Sequence, residues 1–143
     1  MPNSNFGALV ITDGYTLPGQ QLLPNSVEAW NQFVAGVQTT GVRKSEFIAG
    51  TSGTIADVRA YLETAPTVST FIVDVMKNGV TMFTTSANRP IVGIGANASS
   101  TILPDILTFV AGDRIRFDII QIGSGVAGSD LALTITYKTP NLA

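Results

Sequence analysis

The chain has 143 residues, of which 45% are hydrophobic and only 13% charged, and it contains neither histidine nor cysteine. This length suits one domain with a sizeable core. The missing side chains exclude a His-based catalytic triad, a thiolate nucleophile and the usual zinc, haem or iron–sulfur sites. The formal net charge of −2 argues against nucleic-acid binding, which normally needs a basic surface.

The low charge also predicts something about the surface. Ordinary soluble domains carry about 25% charged residues, so we expect a surface of hydroxyls and amides, or one partly covered by other subunits. The N-terminus lacks the positive charge and apolar core of a signal peptide. The longest apolar runs of the whole chain are too short to span a bilayer. We therefore expect no membrane association.

The first 24 residues predict one strand and an arm. Residues 7–12 (GALVIT) form a short apolar run typical of a strand, and Asp13-Gly14 predicts the turn that ends it. Pro18-Gly19 and Pro24 then disfavour both a helix and a central strand. We interpret residues 16–24 as an extended arm or a long loop.

Residues 25–37 permit two interpretations. Asn25 and Ser26 are residue types that cap helices, and the apolar side chains that follow recur at roughly helical spacing: Val27, Trp30, Phe33, Val34 and Val37. The β-branched content of the same stretch also permits a strand. Residues 47–49 predict another short strand.

From residue 54 onward the pattern is strongly strand-like. Residues 56–62 alternate between apolar and polar with a period of two. Residues 70–77 and 80–85 flank Asn78-Gly79, which is the strongest short-range signal for a β-hairpin. Further strands are predicted at residues 91–94, 106–110, 114–119 and 131–137, with polar loops at 95–100 and 123–130.

This spacing of short strands predicts an antiparallel sandwich or barrel. We predict one domain with two parts. Residues 1–53 form an N-terminal arm and the first strands, packed on or extending from the sandwich. Residues 54–143 supply the main strands.

The glycine-rich loop matches the dinucleotide-binding pattern G-x-G-x-x-G at residues 123–128. That function requires a helix directly after the loop and an acidic residue about 20 positions later. A strand is predicted there instead, and a connection between strands is the better interpretation. We expect no cofactor.

Three aspartates are candidates for catalytic or metal-binding groups: Asp113, Asp118 and Asp130. Two acids on facing strands can serve as a glycosidase pair. Asp113 and Asp130 instead occupy turn positions, where aspartate commonly bonds to nearby amides. Asp118 alternates with two arginines, which predicts a solvated surface or a cross-strand ion pair. Oxygen ligands are plentiful enough to leave calcium binding through these aspartates as an alternative, but no loop has the dense acidic spacing of a dedicated calcium site. We expect neither a metal nor catalysis.

The aromatic residues Tyr15, Trp30, Phe33 and Tyr61 are candidates for a sugar-stacking platform. Aromatic side chains more often belong to the core or to a subunit interface, and we favour that interpretation.

A set of segments within residues 54–138 resembles structural proteins of tailed bacteriophages. Residues 73–83 (VDVMKNGVTMF) resemble the hairpin V-x-K-N-G-x-x-I/F of many such proteins. The resemblance continues through Arg89-Pro90, a G-D turn at residues 111–115, and residues 118–124 and 127–135. It implies an all-β antiparallel β-sandwich, jelly-roll-like, of the capsid decoration (cement) or tail-fibre and receptor-binding type.

The resemblance implies two possible roles. In the first, the chain is a decoration protein, with the major capsid protein and sister subunits of a homotrimer as partners. It would belong to the virion, assembled in the host cytoplasm, and the expected interface residues are Phe6, Leu17, Pro18, Leu22, Leu23 and Trp30. In the second, loops 95–101 and 123–130 bind glycan on the host surface.

Overall fold

Nine β-strands make up the regular structure of residues 26–140, the part of the chain that the computed structural model describes. The strands are β1 (Ser26–Val37), β2 (Gly41–Ile48), β3 (Gly53–Thr64), β4 (Phe71–Lys77), β5 (Val80–Thr81), β6 (Ile91–Val92), β7 (Thr108–Phe109), β8 (Arg114–Gln121) and β9 (Ser129–Thr139). A single 3₁₀ turn covers Ser86–Asn88 within the described residues. The expected all-β fold is confirmed.

The strands form two antiparallel sheets. The first has the order β1-β9-β3-β7, and the second has the order β2-β8-β4-β5 with β6 also paired to β4. Among residues 26–140, β1 is therefore an edge strand of the first sheet and β2 is an edge strand of the second sheet. The predicted strand at residues 7–12 and the predicted arm lie outside the described residues.

The core lies between the sheets and is built from alternate residues of the long strands. Leu131, Leu133 and Ile135 of β9 are at most 1% exposed, as are Val73 and Val75 of β4. Burying one such side chain contributes about 1.5–3 kcal/mol. The period of two in residues 131–137 therefore predicted the inward face of β9 correctly.

The hairpin predicted at Asn78-Gly79 is present between β4 and β5. Asn78 and Gly79 have φ angles of 52° and 85°, and positive φ at both positions is what a two-residue type I′ turn requires. β5 ends at Thr81, earlier than predicted, because Met82 and Phe83 turn into the core and are fully buried.

Residues 26–37 form a strand, so the helical alternative is wrong. Their helix-like spacing arises because both faces of β1 carry apolar residues: Trp30 and Val34 pack against the core, while Val27 and Phe33 are exposed. A bulge interrupts the strand between Val34 and Val37.

Other predicted strand boundaries also differ from the observed ones. The strand expected at residues 47–49 is the end of the longer β2, whereas β6 and β7 each have only two residues. No helix in the described part of the chain is long and apolar enough to cross a membrane.

Candidate interface surface

The edges of β1 and β2 lie together along one side of the sandwich. Each pairs with a neighbour on one side, β1 with β9 and β2 with β8, and no strand among residues 26–140 pairs with the other side. The rings of Trp30 and Phe47 are 4.4 Å apart, and the Ser45 hydroxyl donates a hydrogen bond of 2.5 Å to Gln32 Oε1. We call this pair of open edges the edge seam.

The hydrophobic core is incompletely covered at the edge seam. Trp30, Val34 and Phe47 pack against the core but remain partly exposed, whereas the core residues of the inner strands β8 and β9 are buried. An inward-facing side chain stays accessible only where nothing covers its strand from outside. The seam therefore leaves apolar surface that a further chain segment would bury.

Trp30 anchors an aromatic cluster at this side of the sandwich. Its ring centroid lies 4.3 Å from that of Tyr137 and 5.0 Å from that of Phe109. Burial, and secondarily the negative charge of Glu28, raise the pKa of the Tyr137 hydroxyl. Trp30 thus has a packing role, and its role in a subunit contact stays a prediction.

The other predicted interface residues are Phe6, Leu17, Pro18, Leu22 and Leu23, and all lie outside the described residues. Sequence reasoning missed the exposed apolar residues of the two edge strands. These residues are between 64% and 75% exposed: Val27, Phe33 and Val37 on β1, and Val42 and Ile48 on β2. β1 carries only one charged residue, Glu28, in twelve positions. Natural edge strands usually carry charges or proline that prevent pairing with other chains, and this edge has little such protection.

The outer face of the first sheet carries a second apolar feature. Ala132 of β9 lies between Phe33 of β1 and Tyr61 of β3 in the strand register, and both rings are exposed. Trp30 packs on the opposite face of β1, so the three described aromatic residues, Trp30, Phe33 and Tyr61, do not form one platform. Tyr15 lies outside the described residues.

The glycine-rich loop is held by hydrogen bonds to residues 67–69. The Thr67 hydroxyl accepts a bond of 2.6 Å from the Val126 amide, and the Ser69 hydroxyl accepts one of 2.9 Å from the Ser124 amide. The amide of Gly95 also donates to the Pro66 carbonyl at 2.9 Å. The two loops considered for glycan binding are therefore brought to the same end of the sandwich.

The glycines of this loop are required by close packing. A Cβ on Gly123 would lie 1.9 Å from the Val126 carbonyl oxygen, and one on Gly125 would lie 2.5 Å from the Thr67 hydroxyl oxygen. β9 begins at Ser129 with no helix between. The loop is a strand connection, as the sequence favoured over a phosphate-binding loop.

Asp113 lies in the predicted turn before β8, whereas Asp130 lies in β9, so the predicted turn position of Asp130 is wrong. Asp113 accepts hydrogen bonds from the Val110 amide and the Asn78 side chain, and these bonds lower its pKa. Asp130 accepts from the Gly36 amide at 2.7 Å, which fixes the bulge in β1. The eight residues of β8 separate the two carboxylates by about 26 Å. This separation is far beyond that of a glycosidase pair.

Asp118 is buried, and the prediction of a solvated position is wrong. It is 1% exposed, forms an ion pair with Arg116 of its own strand at 3.1 Å, and accepts a bond of 2.8 Å from the Arg43 amide. The prediction of a cross-strand ion pair is also wrong, because the partner of Asp118 is Arg116 of the same strand. The neighbour of Asp118 across the sheet is Asp74, which the sequence did not single out.

Asp74 is the most enclosed charged group of this sheet. It is 0% exposed, its Oδ2 atom lies 3.0 Å from Nη2 of Arg89, and its Oδ1 atom accepts a bond from the Thr81 hydroxyl. Two neighbouring carboxylates are tolerated because each has its own guanidinium. Because Asp74 and Asp118 are both buried, we assign these two carboxylates a structural role. In residues 26–140 no cluster of three or more acidic side chains is placed to hold a metal ion.

Comparison with known proteins relates the chain to one fold. No family model matches the sequence, and no curated protein matches it. The structure is similar to a chain of the cyanophage Pam1 capsid asymmetric unit, with a TM-score of 0.56 and 16% sequence identity. The match covers 98% of this chain and 100% of that chain. The two chains share a fold over essentially their whole lengths.

Proposed function

We propose that the chain is a structural protein of a tailed-phage virion, and specifically a decoration or cement protein on the outer surface of the head. The observation that carries this proposal is the whole-length similarity to a chain of a phage capsid asymmetric unit. The hairpin and turn motifs that resemble tailed-phage proteins support it independently, because they come from sequence rather than shape.

The order of the strands supports the same class. The first sheet contains β1, β9, β3 and β7 in that order, and the second sheet contains β2, β8, β4 and β5 in that order. We propose that this arrangement is a jelly roll, in which two Greek keys form a pair of facing sheets. Jelly rolls are common in viral capsid proteins, and also in lectins and cupins.

The surface favours a role in protein contacts. The edge seam exposes apolar side chains on the two edge strands β1 and β2, and the end of the sandwich that carries the loops exposes Val68, Ile94 and Val126. Glycan sites need polar groups placed for sugar hydroxyls, whereas the Thr67 and Ser69 hydroxyls already bind backbone amides. These features favour decoration over the glycan-binding alternative.

The proposed mechanism is stabilisation by mass action. A protein that binds the assembled shell but not its separated subunits raises the free energy of disassembly. Each filled site contributes about 2.7 kcal/mol when the free protein is at about 100 times its Kd. The proposed partners are the major capsid protein and sister subunits of a homotrimer, and we propose no catalytic activity.

Binding to phage heads tests this proposal. Heads that lack the protein are mixed with the purified chain, sedimented, and heated until DNA is released. We expect saturable binding and a higher temperature of DNA release. Absence of binding, together with binding to a glycan array, would replace decoration with receptor recognition.

A further inference from the structure

We propose that Asn78 is a site of spontaneous modification, and that the fold keeps it unreacted by holding its side-chain amide against the turn before β8. The change is conversion to aspartate or isoaspartate through a cyclic imide, with water as the only co-reactant. Two observations carry this inference: Asn78 precedes Gly79 at an exposed turn, and hydrogen bonds hold both ends of its side-chain amide. The site does not depend on the proposed function.

Asn78-Gly79 places a nucleophile beside a reactive carbonyl group. The Gly79 backbone nitrogen attacks the side-chain carbonyl carbon of Asn78, and glycine favours this step because it has no Cβ to shield its nitrogen. A bond forms between these two atoms, the bond from the carbon to Nδ2 breaks, and ammonia leaves with the Gly79 amide proton. Water then adds to either carbonyl of the five-membered imide, which gives aspartate or isoaspartate at position 78.

The folded structure opposes the first step of this reaction. Nδ2 of Asn78 donates a hydrogen bond of 2.8 Å to Oδ1 of Asp113, and Oδ1 of Asn78 accepts one of 2.9 Å from the Arg114 amide. The Asn78 backbone amide also donates to the Arg114 carbonyl at 2.8 Å. We call these three bonds the Asn78 clamp. Because Nδ2 must leave as ammonia, the clamp must open before the imide forms.

The bond to Asp113 is the strongest part of the clamp. Asp113 accepts a second bond of 2.8 Å from the Val110 amide, and the bonds from Val110 and Asn78 lower its pKa. At neutral pH the carboxylate is therefore charged, and hydrogen bonds to a charged acceptor are about twice as strong as neutral ones. Since Asn78 itself is exposed, water reaches the turn, and opening of the clamp limits the reaction.

The modified chain cannot form the clamp again. A carboxylate at position 78 has no proton to donate to Asp113, and the two like charges would meet at contact distance. Isoaspartate adds a backbone carbon to a two-residue turn in which Asn78 and Gly79 both have positive φ. Each conversion therefore leaves the tip of the β4–β5 hairpin detached from the turn before β8.

The rate of conversion with and without urea tests whether the fold protects the site. The natural chain is incubated in mildly alkaline buffer, and mass spectrometry of the peptide that contains Asn78 measures the conversion. We expect roughly 100-fold faster conversion in denaturing urea, since three hydrogen bonds correspond to about this factor. Asn97 is an internal control, because Ala98 follows it and carries a Cβ, and we expect little conversion there. Equal rates at Asn78 in both solutions would contradict protection, and no conversion in urea would overturn the site itself.

A pair of matched variants separates the clamp from overall stability. Asp113→Ala removes the acceptor of the clamp, whereas Asp105→Ala removes a carboxylate that holds a different loop through the Thr85 amide and the Asn88 side chain. In native buffer we expect Asp113→Ala to speed conversion at Asn78 about tenfold, and Asp105→Ala to leave it unchanged. Equal acceleration by both variants would overturn the clamp in favour of global unfolding.

A further variant keeps this test decisive if Asp113→Ala does not fold. Asp113→Asn keeps an oxygen acceptor for Nδ2 of Asn78 but removes its charge, so we expect a smaller acceleration than the alanine variant would give. No acceleration in Asp113→Asn or in a folded Asp113→Ala would contradict the role of this carboxylate.

A charge exchange tests the consequence of conversion. Asn78→Asp reproduces the aspartate product, and we expect it to unfold at a lower urea concentration than the natural chain. In Asn78→Asp/Asp113→Asn the donor and acceptor exchange places, so the double variant should recover most of this loss. A loss that the double variant does not recover would contradict the carboxylate contact as its cause. All these measurements use the protein alone, so failure to bind heads would count against the proposed function and not against the modification.

Discussion

The close packing at Gly123 predicts a large loss of stability from one methyl group. In Gly123→Ala the new Cβ would lie 1.9 Å from the Val126 carbonyl oxygen and 2.9 Å from both Pro66 Cβ and the Thr67 amide nitrogen. Two of these three atoms belong to the backbone, so no side-chain rotation relieves the overlap. The loop must move away from residues 66–67.

The magnitude follows from the hydrogen bonds that this movement breaks. Thr67 donates to the Val126 carbonyl at 3.0 Å, accepts from the Val126 amide through its hydroxyl, and accepts from the Gly125 amide at 3.1 Å. Each bond contributes about 1 kcal/mol net, and overpacking of this kind costs about 1–3 kcal/mol. If all three bonds are lost, we therefore expect Gly123→Ala to lower the free energy of unfolding by about 4–6 kcal/mol.

Urea denaturation followed by circular dichroism measures this change, and Gly50→Ala is its control. A Cβ on Gly50 would meet no atom within 4 Å, and its φ angle is not in the left-handed region. We expect the control to change stability by less than about 1 kcal/mol. If Gly123→Ala were as stable as Gly50→Ala, the loop would be a loose connection. The Thr67 and Ser69 hydroxyls would then not be held by the loop amides.

Three further predictions concern the charged and aromatic groups. Asp74→Ala leaves the Arg89 guanidinium without its partner, so we expect a loss of about 3–5 kcal/mol in urea denaturation. Asp105 accepts a hydrogen bond of 2.7 Å from the Thr85 backbone amide, as Asp113 does from the Val110 amide, and these bonds lower the pKa values of both carboxyls. Their contribution to stability is therefore present above the ordinary aspartate pKa of 3.8 and is lost as the pH falls through their lower folded values. We expect the free energy of unfolding to decline in this way as the pH is lowered, and to decline less steeply in the double variant Asp105→Asn/Asp113→Asn. Trp30→Ala removes the centre of the aromatic cluster, and we expect a loss of about 3–5 kcal/mol in thermal denaturation.

The controls for these variants are exposed groups of the same type. Asp57→Ala breaks an ion pair with the exposed Arg59, and such pairs contribute less than about 1 kcal/mol. Phe33→Ala removes an exposed ring of β1 and should cost far less than Trp30→Ala in the isolated subunit. If Asp57→Ala lost as much stability as Asp74→Ala, or Phe33→Ala as much as Trp30→Ala, the structural roles of Asp74 and Trp30 would be contradicted.

The sequence predicted those elements whose local signals agree with their tertiary environment. Asn78-Gly79 specifies its turn because both residues accept positive φ, and the hydrogen bonds of the Asn78 side chain to Asp113 and to the Arg114 amide are compatible with that turn. Residues 131–137 alternate because one face of β9 is buried against the second sheet. In these places local propensity and burial select the same conformation.

Other features depend on the topology, and no local pattern could reveal them. β1 lacks clear alternation because its outer face also carries apolar residues, so its sequence resembled a helix. Asp74 lies between two buried valines, and only the return of the chain at Arg89 gives its carboxylate a partner. The edge seam exists because β1 and β2 are each the last strand of a sheet, which is a property of the pairing order rather than of either strand.

Electron cryomicroscopy of the whole virion shows where this chain lies on the particle. A decoration protein should give density for this sandwich on the outer surface of the head, repeated where capsid subunits meet, with on the order of hundreds of copies per particle, as expected for a symmetric shell. Density confined to the tail or its fibres, or absence of the chain from purified particles, would contradict the assignment to the head.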